Sequence, residues 1–157
     1  MCGSTELTQR LGDDAATALV REHDAIVRSA LGAHDGREIK HTGDGIMASF
    51  RSVASSVEAA TAIQRGLADR NLGATTPIGV RIGISAGEPV TEGEDLFGAA
   101  VQLAARLCGC GAAGSITTSV AVRELCIGKT LAFDDGRTED LKGFPAPVTV
   151  FGVTWTP

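Results

Sequence analysis

The stretch Glu38–Phe50, EIKHTGDGIMASF, reads as a β-hairpin, and the rest of the fold is arranged around it. A short strand runs into a Thr42-Gly43-Asp44-Gly45 bend, and Ile46, Ala48 and Phe50 then alternate onto one face of a returning strand. Period-two alternation beside an acid flanked by glycines signals two antiparallel strands joined by a tight turn. Asp44 sits between two residues without side chains, so backbone and carboxylate both stand open to a ligand. Two readings of Asp44 follow. It is a turn residue accepting local backbone bonds, or it is an oxygen ligand for a hard cation such as magnesium. Lys40 lies on the opposing strand, four residues earlier.

On the N-terminal side, Ser4 or Thr5 is placed to cap a helix carrying Leu7, Leu11, Ala15, Ala18, Leu19, Ile26 and Ala30. Gly12-Asp13-Asp14 is expected to interrupt it, and Gly32 to Gly36 to end it. On the other side, Ser52 caps a second helix in which Val53, Val57, Ala60, Ile63 and Leu67 recur at helical spacing. Glu58, Gln64, Arg65 and Asp69 read as its solvated face. Ile78, Val80, Ile82 and Ile84 then alternate with Gly79, Arg81, Gly83 and Ser85, which predicts a strand. The small residues on its second face imply that a helix or a ligand approaches the backbone closely.

Gly87 to Asp95 reads as a surface loop leading into a helix over roughly Leu96 to Leu107. Short strands are expected at Ser115–Thr117 and Thr130–Phe133, a brief helix from Ser119 to Leu125, a turn at Asp134-Asp135-Gly136 and a final strand over Val148–Val153. Helices interleaved with returning strands imply an α+β or α/β sandwich with helices on one sheet face. The 157 residues suffice for a single domain, 1–157, with a real core.

Fourteen basic against nineteen acidic residues, with no basic run, argue against a nucleic-acid partner. The four cysteines lack the spacing of a zinc or redox motif, and Cys108 reads as a reduced thiol near a helix end. A reducing, cytoplasmic setting is expected. No apolar run of about 18 residues or signal peptide is visible, so no membrane segment is expected.

Among polar groups, Lys40 and Asp95 stand beside apolar elements. Gln102 and Arg106 are four apart on one helix and share a face. Arg106 is either an ordinary surface residue or a rigid set of donors suited to phosphate oxygens.

Five blocks carry a resemblance. They are GSTELTQRLGD at Gly3–Asp13, IKHTGDGIMASF at Ile39–Phe50, VRIGISAGEPV at Val80–Val90, DLFGAAVQLAARL at Asp95–Leu107 and LKGF with PVTVFGV between Leu141 and Val153. In this order and spacing the chain resembles the catalytic domain of the class III nucleotidyl cyclases over nearly its whole length. The resemblance implies a ferredoxin-like βαββαβ core with extra elements, and a homodimer whose active sites lie at the subunit boundary. It implies ATP as substrate and 3′,5′-cyclic AMP and pyrophosphate as products, with Mg²⁺ or Mn²⁺ as cofactor. Asp44 matches a metal-binding aspartate, Lys40 and Asp95 match the pair that reads adenine, and Arg106 matches the arginine that stabilises charge during phosphoryl transfer.

Chemically the pair suits adenine, because Lys40 can donate to N1 and Asp95 can accept from the 6-amino group. Gln102 stands where the family carries an Asn that orients the ribose, placing the same amide one methylene further out. In the family the GST stretch follows a strand ending in the first of the two metal aspartates, Asp44 matching the second, whereas Met1 and Cys2 occupy the two positions before Gly3 here. One metal acid per site, an open place in the sheet and weakened or lost activity are therefore expected. A start further upstream, a chain that only binds nucleotide or dimerises, and compensation by Glu6 or Asp13 are the competing accounts.

Overall fold

A computed structural model describes residues 9, 11–43 and 45–156. The expected cap at Ser4 or Thr5, Leu7, Glu6, Cys2 and the carboxylate of Asp44 lie outside the described residues.

Helix α1 spans Asp13–Ala33, with Gly12 at its N-cap in a left-handed conformation (φ +83°). The interruption expected at Gly12 is therefore present, and Asp13 and Asp14 fill the first turn, where the helix dipole favours negative charge. Strands β1 (Arg37–His41) and β2 (Ile46–Ser49) form the hairpin read from the sequence. Thr42 N–H donates to the Gly45 carbonyl at 2.8 Å across the bend. Ile46, Ala48 and Phe50 pack on the core formed by α1 and the next helix, as their alternation required. Helix α2 (Val53–Asn71) begins at Ser52, whose Oγ accepts from Ser55 N–H at 3.2 Å.

The alternating segment after α2 forms a shorter ladder than its pattern predicts. Ile78 and Val80 are buried, yet only Ile82–Ile84 pairs, as β3. The Val80 carbonyl still accepts from the Gly114 amide (2.8 Å), whereas Ile78 bonds the Asn71 side chain in place of a strand. The Gly87–Asp95 loop instead contains a hairpin, β4 (Val90–Glu92) against β5 (Asp95–Phe97), so helix α3 starts later, over Ala99–Gly109. Strand β6 (Ile116–Ser119), helix α4 (Val120–Leu125), and strands β7 (Ala132–Phe133), β8 (Arg137–Glu139) and β9 (Val148–Thr154) complete the chain. Of these, β8 was not read from the sequence.

The main sheet runs β3-β6-β9-β7, with β8 also on β9; β3 and β6 are parallel and the other pairs antiparallel. The β1–β2 and β4–β5 hairpins are separate two-stranded sheets. Two-stranded sheets are marginal in water and need packing against other elements. For β1–β2 that support is α1 and α2, through a core of Leu19, Val27, Leu31, Ile63, Leu67 and Val80. A second cluster centred on Val57, Ile116, Val122 and Val153 joins α2 and α4 to the main sheet.

Gln64, read as solvated, is 3% exposed. Its amide donates to the carbonyls of Val80 (3.1 Å) and Ser115 (3.2 Å), joining α2 to the segments flanking β3 and β6. Each carbonyl also accepts a backbone N–H, Val80 from Gly114 (2.8 Å) and Ser115 from Ile82 (3.0 Å), so the buried amide fills their second lone pairs and satisfies its own donors.

The small face of β3 receives helix α3. A methyl group on Gly83 would press on the Ala104 carbonyl, the Cys108 amide and Cys108 Cα, so the approaching body is a helix. Cys108 is half-buried there, its Sγ 3.3 Å from the Arg81 carbonyl.

Candidate active site

Lys40 and Asp95 come from segments 55 residues apart and meet with Nζ 2.5 Å from Oδ2. The lysine reaches its position from β1, the aspartate from the first residue of β5. The Lys40 hydrogen bond, together with one from the Leu96 amide to Oδ1 (2.8 Å), holds the Asp95 carboxyl below the usual carboxylate range. Asp95 is therefore a charged acceptor at neutral pH, and it and the Lys40 donor are both half-exposed and within reach of a ligand.

Phe97, not a candidate from the sequence, joins this pair in the structure. It follows Asp95 by two residues, so both side chains fall on one face of β5, and its ring centroid lies 5.5 Å from Lys40 Nζ. The spacing was visible in the DLF triplet; the hairpin that makes it a strand was not.

Gln102 and Arg106 lie on the exposed side of α3, one turn apart. Leu107, fully buried, anchors the opposite side of that helix. Among the described residues, neither Gln102 nor Arg106 forms a side-chain hydrogen bond or ion pair with Lys40 or Asp95. The chain thus builds two half-sites, the Lys40–Asp95 pair and the outward face of α3.

Beneath β1, a charged cluster ties the hairpin to α1. Asp24 accepts from His23 Nδ1 (2.8 Å) and from His41 Nε2 (3.0 Å), and Arg28 forms a fork on Glu38 with bonds of 2.7 and 3.0 Å. Burial alone would raise the Asp24 carboxyl; the two histidine hydrogen bonds outweigh it and hold it low. His23 is buried, and burial pushes its pKa down despite the bond to Asp24.

No group of three His, Cys, Asp or Glu side chains is placed to hold a metal ion among the described residues. Those residues by themselves do not form a metal centre. Likewise, no helix among them is long and apolar enough to cross a membrane.

The family model described as "Adenylate and Guanylate cyclase catalytic domain" matches residues 1–153. The chain belongs to this family, the class III cyclases. A Rhizobium meliloti protein described as "Putative adenylate cyclase 3" is 32% identical over 158 residues, covering 99% of this chain and 27% of that protein. An adenylate/guanylate cyclase/hydrolase structure from Silicibacter pomeroyi superimposes with a TM-score of 0.84 at 28% identity, covering 94% of this chain and 87% of that one. The adenylyl cyclase CyaB from P. aeruginosa gives a TM-score of 0.79 at 24% identity, covering 98% and 89% of the two chains, and shares the fold. The chain spans 27% to 37% of the length of the first curated relatives it matches. Class III cyclases are generally metal-dependent nucleotide cyclases, and the α+β architecture expected from the sequence is the one these structures share.

Proposed function

We propose that two copies of this chain bind ATP across their boundary and convert it to 3′,5′-cyclic AMP and pyrophosphate. The observation carrying the reading is the Lys40–Asp95 pair, which presents a donor beside a charged acceptor at 2.5 Å. Adenine offers an acceptor at N1 and a donor at the 6-amino group, matching this order. Guanine reverses both, placing O6 against the carboxylate and a protonated N1 against the ammonium. Binding the base exchanges the Lys40–Asp95 ion pair for two hydrogen bonds to the ring.

In this reading Lys40, Asp44 and Asp95 come from one copy and Gln102 and Arg106 from its partner. The exposure of Gln102 and Arg106 on α3 favours a role facing outside their own subunit. The ribose 3′-oxygen attacks the α-phosphorus, its proton passing to solvent, while the bond from the α-phosphorus to the bridging oxygen breaks and pyrophosphate leaves. Arg106 stabilises charge developing on the phosphate oxygens through fixed donors. Gln102 orients the ribose through its amide. Asp44 is the proposed carboxylate ligand for Mg²⁺ or Mn²⁺, on the match of TGDG to the family alone; a bound ion would supply electrostatic stabilisation to the phosphates.

The test supplies ATP and Mn²⁺ to purified protein and quantifies cyclic AMP against Lys40→Ala and Arg106→Ala variants. Product formation lost by about 100-fold or more in both variants is expected. Calorimetric binding of ATP with no cyclic AMP above the Lys40→Ala level would overturn the enzyme reading in favour of a nucleotide-binding, dimerising module.

A further inference from the structure

Strand β1 carries an irregularity that decides which way Lys40 points. Its register against β2 is Glu38 opposite Ala48, then Lys40 opposite Met47, so Ile39 is an extra residue on β1. In an unbroken strand Glu38 and Lys40 would share a face and His41 would lie on the other. The extra residue resets that alternation. Glu38 and His41 both face α1, where Arg28 and Asp24 receive them, while Lys40 faces Asp95 on β5.

Asp24 and Arg28 are one helical turn apart, and their side chains are 3.6 Å apart. They grip β1 on either side of the bulge: Arg28 takes Glu38 before it and Asp24 takes His41 after it. His23, 2% exposed, fixes the second oxygen of Asp24. A strand of regular register could not satisfy both grips at once, because only one of Glu38 and His41 would reach the helix.

We propose that this clamp of Asp24 and Arg28 on Glu38 and His41 holds the β1 bulge and thereby turns Lys40 toward Asp95, making the four clamp side chains positioning residues for purine selection. The inference rests on the reading of Lys40 and Asp95 as the base-reading pair, and it adds where their geometry originates. The clamp side chains touch no substrate and act only through Lys40.

Two variants test it, Arg28→Met and His41→Leu, each removing one grip at a partly exposed position. The first measurement needs no nucleotide: the titration of the Asp95 carboxyl followed by carbon NMR. In the unaltered chain it titrates below the usual carboxylate range because Lys40 bonds to it. Both variants, like Lys40→Ala, are expected to move it back toward that range. An Asp95 titration unchanged in both variants, with Lys40→Ala shifting it, overturns the proposal. The second measurement is the ratio of ATP to GTP affinity, expected to fall about tenfold or more in each variant. The loss should not add to that of Lys40→Ala in the double variants. A shifted Asp95 titration with an unaltered ratio upholds the clamp's hold on Lys40 and refutes its part in purine selection. If Lys40→Ala itself leaves the ratio unaltered, the base-reading assignment is what fails. Lowered melting temperature without movement of either readout marks the clamp as structural only and overturns the proposal.

Discussion

Replacing Gly83 by Ala tests how closely the helix bearing Arg106 must approach the sheet. The added methyl would lie 2.9 Å from Cys108 Cα, and closer still to the Ala104 carbonyl oxygen and the Cys108 amide nitrogen. Carbon–carbon contacts settle near about 3.5–4.0 Å, so α3 must retreat by about 1 Å. All three obstacles are backbone atoms of one helix, and no flexible side chain can yield in their place. Overpacking of this kind costs about 1–3 kcal/mol, and the rigid neighbours put Gly83→Ala near the upper end. For a domain of this size that is a fall in Tm of about 6–12 °C. Gly32→Ala is the matched control, because nothing lies within 4 Å of the new methyl in the last turn of α1. It is expected to be neutral or to stabilise by about 0.5–1 kcal/mol.

Activity gives a second axis. Because Gln102 and Arg106 ride on α3, a 1 Å retreat should lower cyclic-nucleotide formation by about 100-fold. The Lys40–Asp95 pair lies off that helix, so nucleotide affinity should change far less than kcat. Scanning calorimetry and a cyclase assay on the two glycine variants provide the comparison. A Gly83→Ala protein that melts with the unaltered chain and retains its kcat would refute the close packing of α3 on β3.

Two further outcomes follow from buried polar groups. Gln64→Ala removes two buried hydrogen bonds while the Val80 and Ser115 carbonyls keep their backbone donors, so a loss of about 1–2 kcal/mol and a Tm lower by about 2–8 °C are expected in calorimetry; a change below about 1 °C would place Gln64 at the surface after all. His23 has its pKa pushed below the ordinary value of 6.5 by burial, so between those two values the unfolded chain binds the extra proton and the folded chain does not. Stability therefore rises with pH through that window, and Tm should fall as pH is lowered from about 7 to about 5. A His23→Gln variant should lose that slope, and an unaltered slope would assign it to another group.

The hairpin, both long helices and the final strand were legible because each is encoded by local periodicity. Ile46, Ala48 and Phe50 alternate, and Val53 to Leu67 recur every three or four residues, patterns that survive whatever the rest of the chain does. Lys40, Asp95, Gln102 and Arg106 were found as candidates because they sit inside recognisable blocks; Asp44, in the same blocks, lies outside the described residues. The small face of β3 likewise announced a close neighbour without saying which.

What the pattern could not carry was every relation between distant segments. Gln64 reads as an ordinary helix-surface amide until the Val80 and Ser115 carbonyls arrive beside it from elsewhere in the chain. The loop before α3 becomes a hairpin only when β4 finds β5, and only then do Phe97 and Asp95 share a side near Lys40. The bulge at Ile39 has no local signal either. It exists because Asp24 and Arg28, on another element, reward the register in which Glu38 and His41 both face them. Local propensity specifies elements over a few residues; the direction a side chain finally takes depends on partners brought in by long-range packing, and it is set only when the chain closes on itself.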